Sequence, residues 1–180
     1  RVIQAFLSAE DKTFYTHPGI DFAGGASAVL RNIKNIGGKR RPVGASTITQ
    51  QVAKNFLLTN EVSIARKAKE AILAFRIEHA FSKDRILELY LNEICLGLGS
   101  YGVAAAALNY FDKSLDELTL EETAFLAALP KAPNNYHPIR NRKAARERRD
   151  WVLRRMATNG VISKLEAKRG SARALLMRRS

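Results

Sequence analysis

A chain of 180 residues with 46% hydrophobic side chains can form one packed domain, or one domain with a small lobe. Its 30 Lys+Arg against 17 Asp+Glu leave a formal charge of +13, which points to an anionic partner: nucleic acid, lipid head groups or a phosphorylated substrate. The single cysteine, Cys95, excludes an intramolecular disulfide and a cysteine zinc cluster, and no apolar run approaches the ~20 residues of a membrane span.

The chain opens on Arg1 rather than Met and enters a helix at once, which reads as an excised piece whose targeting or anchoring segment lies upstream. Apolar spacing at Val2, Phe6 and Ala9, or Ile3 and Leu7, predicts a buried helix, and Pro18-Gly19 predicts a turn soon after it. Glu10 and Asp11 fall where that helix meets a polar loop. Helical neighbours point about 100° apart, so one acid can face a cleft while the other holds the loop. Read alone, this stretch favours two solvated charges at a helix end.

Asp21 is placed to cap a helix over Phe22–Ile36, followed by a flexible basic loop, Gly37-Gly38-Lys39-Arg40-Arg41-Pro42. Next, Gly44-Ala45-Ser46-Thr47 runs into a helix carrying Ile48, Val52 and Phe56. Hydroxyls and free N–H groups at a helix start make an anion pocket, and the Gln50-Gln51 pair with Lys54 extends a polar wall. An ordinary capped helix explains the same residues. Ser63 caps a long helix to about Phe81 whose expected buried face is Ile64, Ala68, Ala71, Ile72, Phe75 and Ala80. Arg66 and Glu70 are i,i+4, enough for a surface ion pair of a few tenths of a kcal/mol. Glu70 beside Lys67 and Lys69 equally suits a carboxylate held among cations.

A helix restarts at Ser82-Lys83-Asp84 with Ile86, Leu87, Tyr90 and Leu91 as its core. Gly97, Gly99 and Gly102 follow no strand, so they are read as turns rather than a dinucleotide loop. Val103–Tyr110 is an alanine-rich helix, Thr119 and Glu122 open another that stops at Pro130, and Lys131–Pro138 is a long coil. The last strong helix spans about Lys143 to Asn159 and ends at Gly160, and Ser163 with Glu166 starts one more. From Lys168 to Ser180 the pattern weakens to a basic, frayed end. The fold class is mainly α, with near-zero strand signal. His17, His79 and His137 show no partner that would make any of them a base.

Two glutamates on different helices, a hydroxyl–amide wall and several cations suggest sugar chemistry on a phosphorylated substrate: a base deprotonates the attacking hydroxyl and cations receive a departing phosphate. A non-catalytic basic module for anionic lipid or nucleic acid fits the charge alone.

Ordered motifs narrow this. Glu10-Asp11-Lys12-Thr13-Phe14-Tyr15-Thr16-His17-Pro18-Gly19 resembles the first motif of the peptidoglycan glycosyltransferases, found in class A penicillin-binding proteins and monofunctional transglycosylases. Gly44–Gln51, Arg66–Glu70, Lys83–Asn92 and Arg148–Leu153 resemble the second to fifth, in order. The similarity runs from residue 1 to about 167. It implies a lysozyme-like, mainly helical domain over residues 1–167 with a large lobe and a small membrane-proximal lobe, residues 20–45 lying in or near the latter, and 168–180 as a tail. It implies polymerisation of lipid II into β-1,4-linked glycan with release of undecaprenyl pyrophosphate, at the periplasmic, outer face of the cytoplasmic membrane, with nucleic acid no longer a partner. Carried over residue by residue, Glu10 is the acid/base and Glu70 the second carboxylate. Phe14, Ser46, Thr47, Gln50, Gln51 and Lys54 line the substrate site, and Arg66, Lys67 and Lys69 supply charge to the pyrophosphate. Asp11, Lys83 and Arg148 are structural. No cofactor is required by the sequence; Mg or Mn at Glu70 is compatible with it. The other partners implied are the growing glycan strand, the membrane surface through Phe22–Pro42, and a transpeptidase domain in the parent chain. A muramidase-like hydrolase of the same fold has no pyrophosphate to stabilise, so the cations argue against it. The chain departs from the family at Val62, where an arginine is common, and at Cys95 and Leu98.

Overall fold

Local side-chain capping marks where four of the described helices begin. The computed structural model describes residues 1–22, 46–57, 63–130 and 132–177. The expected helix over Phe22–Ile36 beyond its first residue, the basic loop before Pro42, the Gly44-Ala45 lead-in and Val62 lie outside the described residues. Helix α1 is Val2–Glu10, α2 Ile48–Phe56, α3 Ile64–Ala80, α4 Lys83–Glu93, α5 Val103–Phe111, α6 Leu120–Ala128, α7 Arg142–Thr158 and α8 Lys164–Ala172. Thr47 with Gln50, Thr119 with Glu122, and Ser163 with Glu166 form reciprocal capping boxes at the starts of α2, α6 and α8. Ser63 caps α3 through the Arg66 N–H at 3.1 Å. Each such cap stabilises its helix by about 1 kcal/mol. Among the described residues the fold is mainly α, and β pairing is confined to one isolated bridge, Cys95 with Tyr101.

The chain divides into two compact units, one of Arg1–Lys12 with Leu91–Ser180, the other of Thr13–Tyr90. In the first, α6 packs against α1 and α7, and α7 against α8. Thr123 to Leu129 are all buried, the signature of a helix surrounded by others. Phe125 is fully buried and meets Tyr110 at 5.3 Å and Phe111 at 5.8 Å, both edge-on. Burying such a ring is worth about 2 kcal/mol. The turn before α5 depends on Gly102 at φ +90°, where an added Cβ would sit 2.4 Å from the Asn92 carbonyl oxygen. Leu98, at φ +50°, joins Gly97 and Gly99 in the left-handed region of the same turn.

The tail is not frayed from Lys168. Helix α8 continues to Ala172, so a boundary at 167 falls inside it, and Leu175 is buried. The reason is Arg149, wholly buried, which donates to the carbonyls of Ser171 at 3.2 Å and Arg173 at 2.9 Å while pairing with Asp150. Nor is Lys131–Pro138 plain coil: Pro133, pre-set for helical φ, opens a 3₁₀ turn over Pro133–Tyr136.

In the second unit α2 packs on α3. The face of α3 that is buried is Glu70, Ala74 and Ile77, not the apolar stripe expected: Ile64 is 92% and Ile72 55% exposed. Apolar spacing selects the greasiest stripe, whereas here a paired acid occupies the inward row.

Candidate active site

One group of motif residues is built around Lys83. Its Nζ donates to Glu78 Oε1 at 2.7 Å and to the His17 carbonyl at 2.6 Å, and stands over the Phe14 ring at 4.6 Å. Glu78 Oε1 also accepts from the Thr49 hydroxyl at 2.7 Å. Lys83, with Glu78, thus ties the 14–19 turn, α2 and α3 together. Gly19, at φ +108°, lies against α3 so closely that a Cβ would meet Glu78 Cγ at 3.0 Å. His17 does have partners: its Nδ1 accepts the Gly19 N–H at 3.0 Å and its ring meets Phe14 edge-on. His137 Nδ1 likewise accepts from the N–H groups of Ile139 and Arg140, at 3.2 and 3.1 Å. These are local turn bonds, which the sequence spacing allows but does not require.

Three residues expected to line the substrate site are buried. Phe14 is fully buried beneath Lys83, so it packs the unit and offers no surface to a substrate. The Thr47 hydroxyl donates to the Gly19 carbonyl at 2.7 Å and accepts from the Gln50 N–H at 3.1 Å. Gln50 Oε1 accepts from the Thr47 N–H at 2.9 Å, and both residues are buried. Their polar groups cap a helix rather than form an open wall. Gln51 is half-buried and Lys54 exposed.

One of the expected cations, Lys67, pairs with Glu70. Lys67 Nζ donates to Glu70 Oε1 at 2.8 Å and to the Ser46 hydroxyl oxygen at 2.7 Å. The Glu70 side chain is 7% exposed, that of Lys67 54%. A nearly buried carboxylate is tolerable because an ammonium answers it, and that ammonium still faces solvent on its other side. Arg66 is half-buried nearby on α3 and Lys69 exposed. Among the described residues no three His, Cys, Asp or Glu side chains converge as a metal site. With Lys67 on its Oε1, Glu70 already has a cationic partner and does not by itself make a protein-held divalent site.

Glu10 closes α1, and Asp11 caps it, buried, with its N–H on the Leu7 carbonyl at 2.9 Å. Glu10 stays partly exposed while its Oε1 is screened from solvent. The Arg148 guanidinium lies 3.8 Å over the Trp151 ring. Burial pulls Arg148 below its ordinary value, and the nearby Tyr136 and Glu10 oppose that shift. Tyr136 was not singled out by sequence reasoning, nor was a cavity of about 470 Å³ at the start of α7, whose cations are Arg140, Arg142 and Lys143. The charge run preceding Arg148 was the available signal. Glu10 belongs to the first unit and Glu70 to the second.

A mainly helical chain with one acid at a helix end beside an arginine, and another paired with a lysine, has the equipment of a glycosyl-transfer domain working on an anionic substrate. The comparisons agree. A family model described as Transglycosylase matches residues 1–157. Penicillin-binding protein 1A of Rickettsia felis is 54% identical over 178 residues, 99% of this chain and 22% of the relative. That of Haemophilus influenzae is 54% identical over 166 residues, 92% and 19% respectively. A crystal structure of the Haemophilus influenzae protein is similar at a TM-score of 0.53 and 40% identity, covering 78% of this chain and 18% of that one.

The chain belongs to the transglycosylase family and is a peptidoglycan glycosyltransferase domain. It spans about a fifth of the length of the curated relatives it matches. No helix of the described residues is long and apolar enough to cross a membrane.

Proposed function

We propose that this domain polymerises lipid II into β-1,4-linked glycan, releasing undecaprenyl pyrophosphate, with inversion at the donor sugar. Glu10, ionised, takes the proton from the acceptor's 4-hydroxyl as that oxygen attacks the donor's anomeric carbon. The anomeric C–O bond breaks as the new one forms, and its electron pair leaves on the diphosphate. Lys67, Arg66, Lys69 and Lys54 are the cations proposed to meet that charge, with Ser46 and Gln51 as polar contacts. Glu70 holds Lys67 in place, so its effect on the leaving group runs through that ammonium.

The observation that carries this reading is the placement of Glu10: a partly exposed acid at the end of α1, within electrostatic reach of Arg148. The net charge of +13 suits an anionic lipid substrate and an anionic membrane surface. The relatives' name, penicillin-binding protein, supports a transpeptidase domain in the parent chain and work at the outer face of the cytoplasmic membrane. No resident cofactor enters the proposed chemistry. The test is Glu10→Gln, assayed with lipid II in detergent. A folded variant that forms no glycan supports the base; near-normal turnover removes it.

A further inference from the structure

We propose that Arg148 is a positioning residue for Glu10: seated on the Trp151 ring, its guanidinium holds a fixed positive charge that keeps the carboxylate ionised and aimed. This rests on Glu10 being the base. The sequence reading made Arg148 structural, and its neighbour Arg149 is what that role looks like. Arg149 is satisfied by Asp150 and by two carbonyls of the tail. Successive helical residues point about 100° apart, so Arg148 leaves that clamp on another face of α7.

There it lies 3.8 Å over Trp151, with Arg155 at 5.7 Å from the same ring. Arg148 Nε is buried and has no hydrogen-bond partner among the described residues. Placing part of a guanidinium out of water is costly unless a negative group answers it. Helix α1 packs on α7, and Glu10 is the carboxylate that acts on Arg148; Tyr136, on the 3₁₀ turn against α7, is the other group. Of the other acids on the packed elements, Glu147 of α7 is exposed and Glu166 of α8 pairs with Arg1. Glu121 and Glu122 of α6 pair with Arg173 and Lys113, Asp150 of α7 with Arg149, and Asp11 is buried at the cap. The stacked aromatic platform fixes where the charge sits.

An arginine stays charged across the working pH range, so it favours the anionic form of a nearby acid throughout. Deleting it raises the pH at which Glu10 loses its proton. The acidic limb of the kcat/KM profile for glycan formation then moves upward, by about one pH unit for a half-buried pair. The experiment compares wild type, Arg148→Gln, Arg148→Lys and Glu10→Gln with lipid II in detergent from acid to neutral pH. An upward-shifted limb in Arg148→Gln, largely restored by Arg148→Lys with KM little changed, supports the proposal. A rate lowered equally at every pH, with the limb unmoved, overturns it and leaves Arg148 a packing residue. Should Arg148→Gln not fold, Trp151→Leu carries the same test, since it frees the guanidinium from its platform without deleting the charge. Its limb displaced upward supports the proposal, and unmoved overturns it. Glu10→Gln separates the two readings: full activity in that variant removes the base itself, whatever Arg148 does.

Discussion

Replacing Lys83 with Met removes a cation shared by the 14–19 turn, α2 and α3. The ammonium is 2.7 Å from Glu78 Oε1, with side-chain exposures of 21% and 12%, and 2.6 Å from the His17 carbonyl. Deleting one partner of a largely buried pair strands the other charge, at about 3–5 kcal/mol. The Thr49 hydroxyl still donates to Glu78, which places Lys83→Met near the lower end, about 3 kcal/mol. For a chain of this size that lowers Tm by about 6–12 °C. Urea and thermal unfolding followed by circular dichroism measure it, with coincident probes checking two-state behaviour. Adding Glu78→Gln removes the stranded charge, so the double variant recovers part of the loss. A cost below about 1 kcal/mol, the value of an exposed pair, would refute the idea that Lys83 anchors the motifs.

The turn at Gly102 does not accept a side chain: with a Cβ 2.4 Å from the Asn92 oxygen at φ +90°, Gly102→Ala is expected to cost about 3 kcal/mol or more in denaturant unfolding. Tyr110 donates to the Leu96 carbonyl at 2.6 Å, and burial, with a smaller contribution from Cys95, pushes its phenol up to about 12. A raised native value means the folded state keeps a proton the unfolded chain has lost. That stability is present below pH 10 and fades between about 10 and 12, by roughly 2–3 kcal/mol. Tyr110→Phe, though less stable at neutral pH, flattens that segment of the stability–pH curve; an unchanged slope would argue against it. Glu70→Gln releases Lys67 from its anchor and is expected to slow glycan formation by roughly one to two orders of magnitude with little change in Tm. Unaltered turnover would reduce Glu70 to a surface ion pair.

What was legible in the sequence was local. Thr119 with Glu122, Ser163 with Glu166, and Ser63 announce helix starts because capping needs only residues a few positions apart. Ile86, Leu87, Tyr90 and Leu91 are buried as their spacing foretells. What was not legible depends on partners far along the chain. Nothing near Phe14 says that Lys83 will cover it, and nothing near Arg149 says that carbonyls 22 and 24 residues later will satisfy it. The inward row of α3 was misread because Glu70 looks like a surface residue until Lys67 and Ser46 are placed beside it. A motif also does not reveal whether its members touch substrate or one another. Thr47, Gln50 and Phe14 do the latter, while Glu70 with Lys67 keeps an open side. Arg148 crossed the other way, from a structural reading to the neighbourhood of Glu10.

The most direct test of the account is to count bonds and leaving groups in one reaction. The purified chain and its Glu10→Gln variant are each given lipid II in detergent, and glycan strand length and free undecaprenyl pyrophosphate are measured together. One diphosphate is expected for every new β-1,4 bond formed between lipid II units by the wild type, and neither product from the variant although it folds normally. Diphosphate released without strand growth, or glycan formed by Glu10→Gln at the wild-type rate, would contradict it.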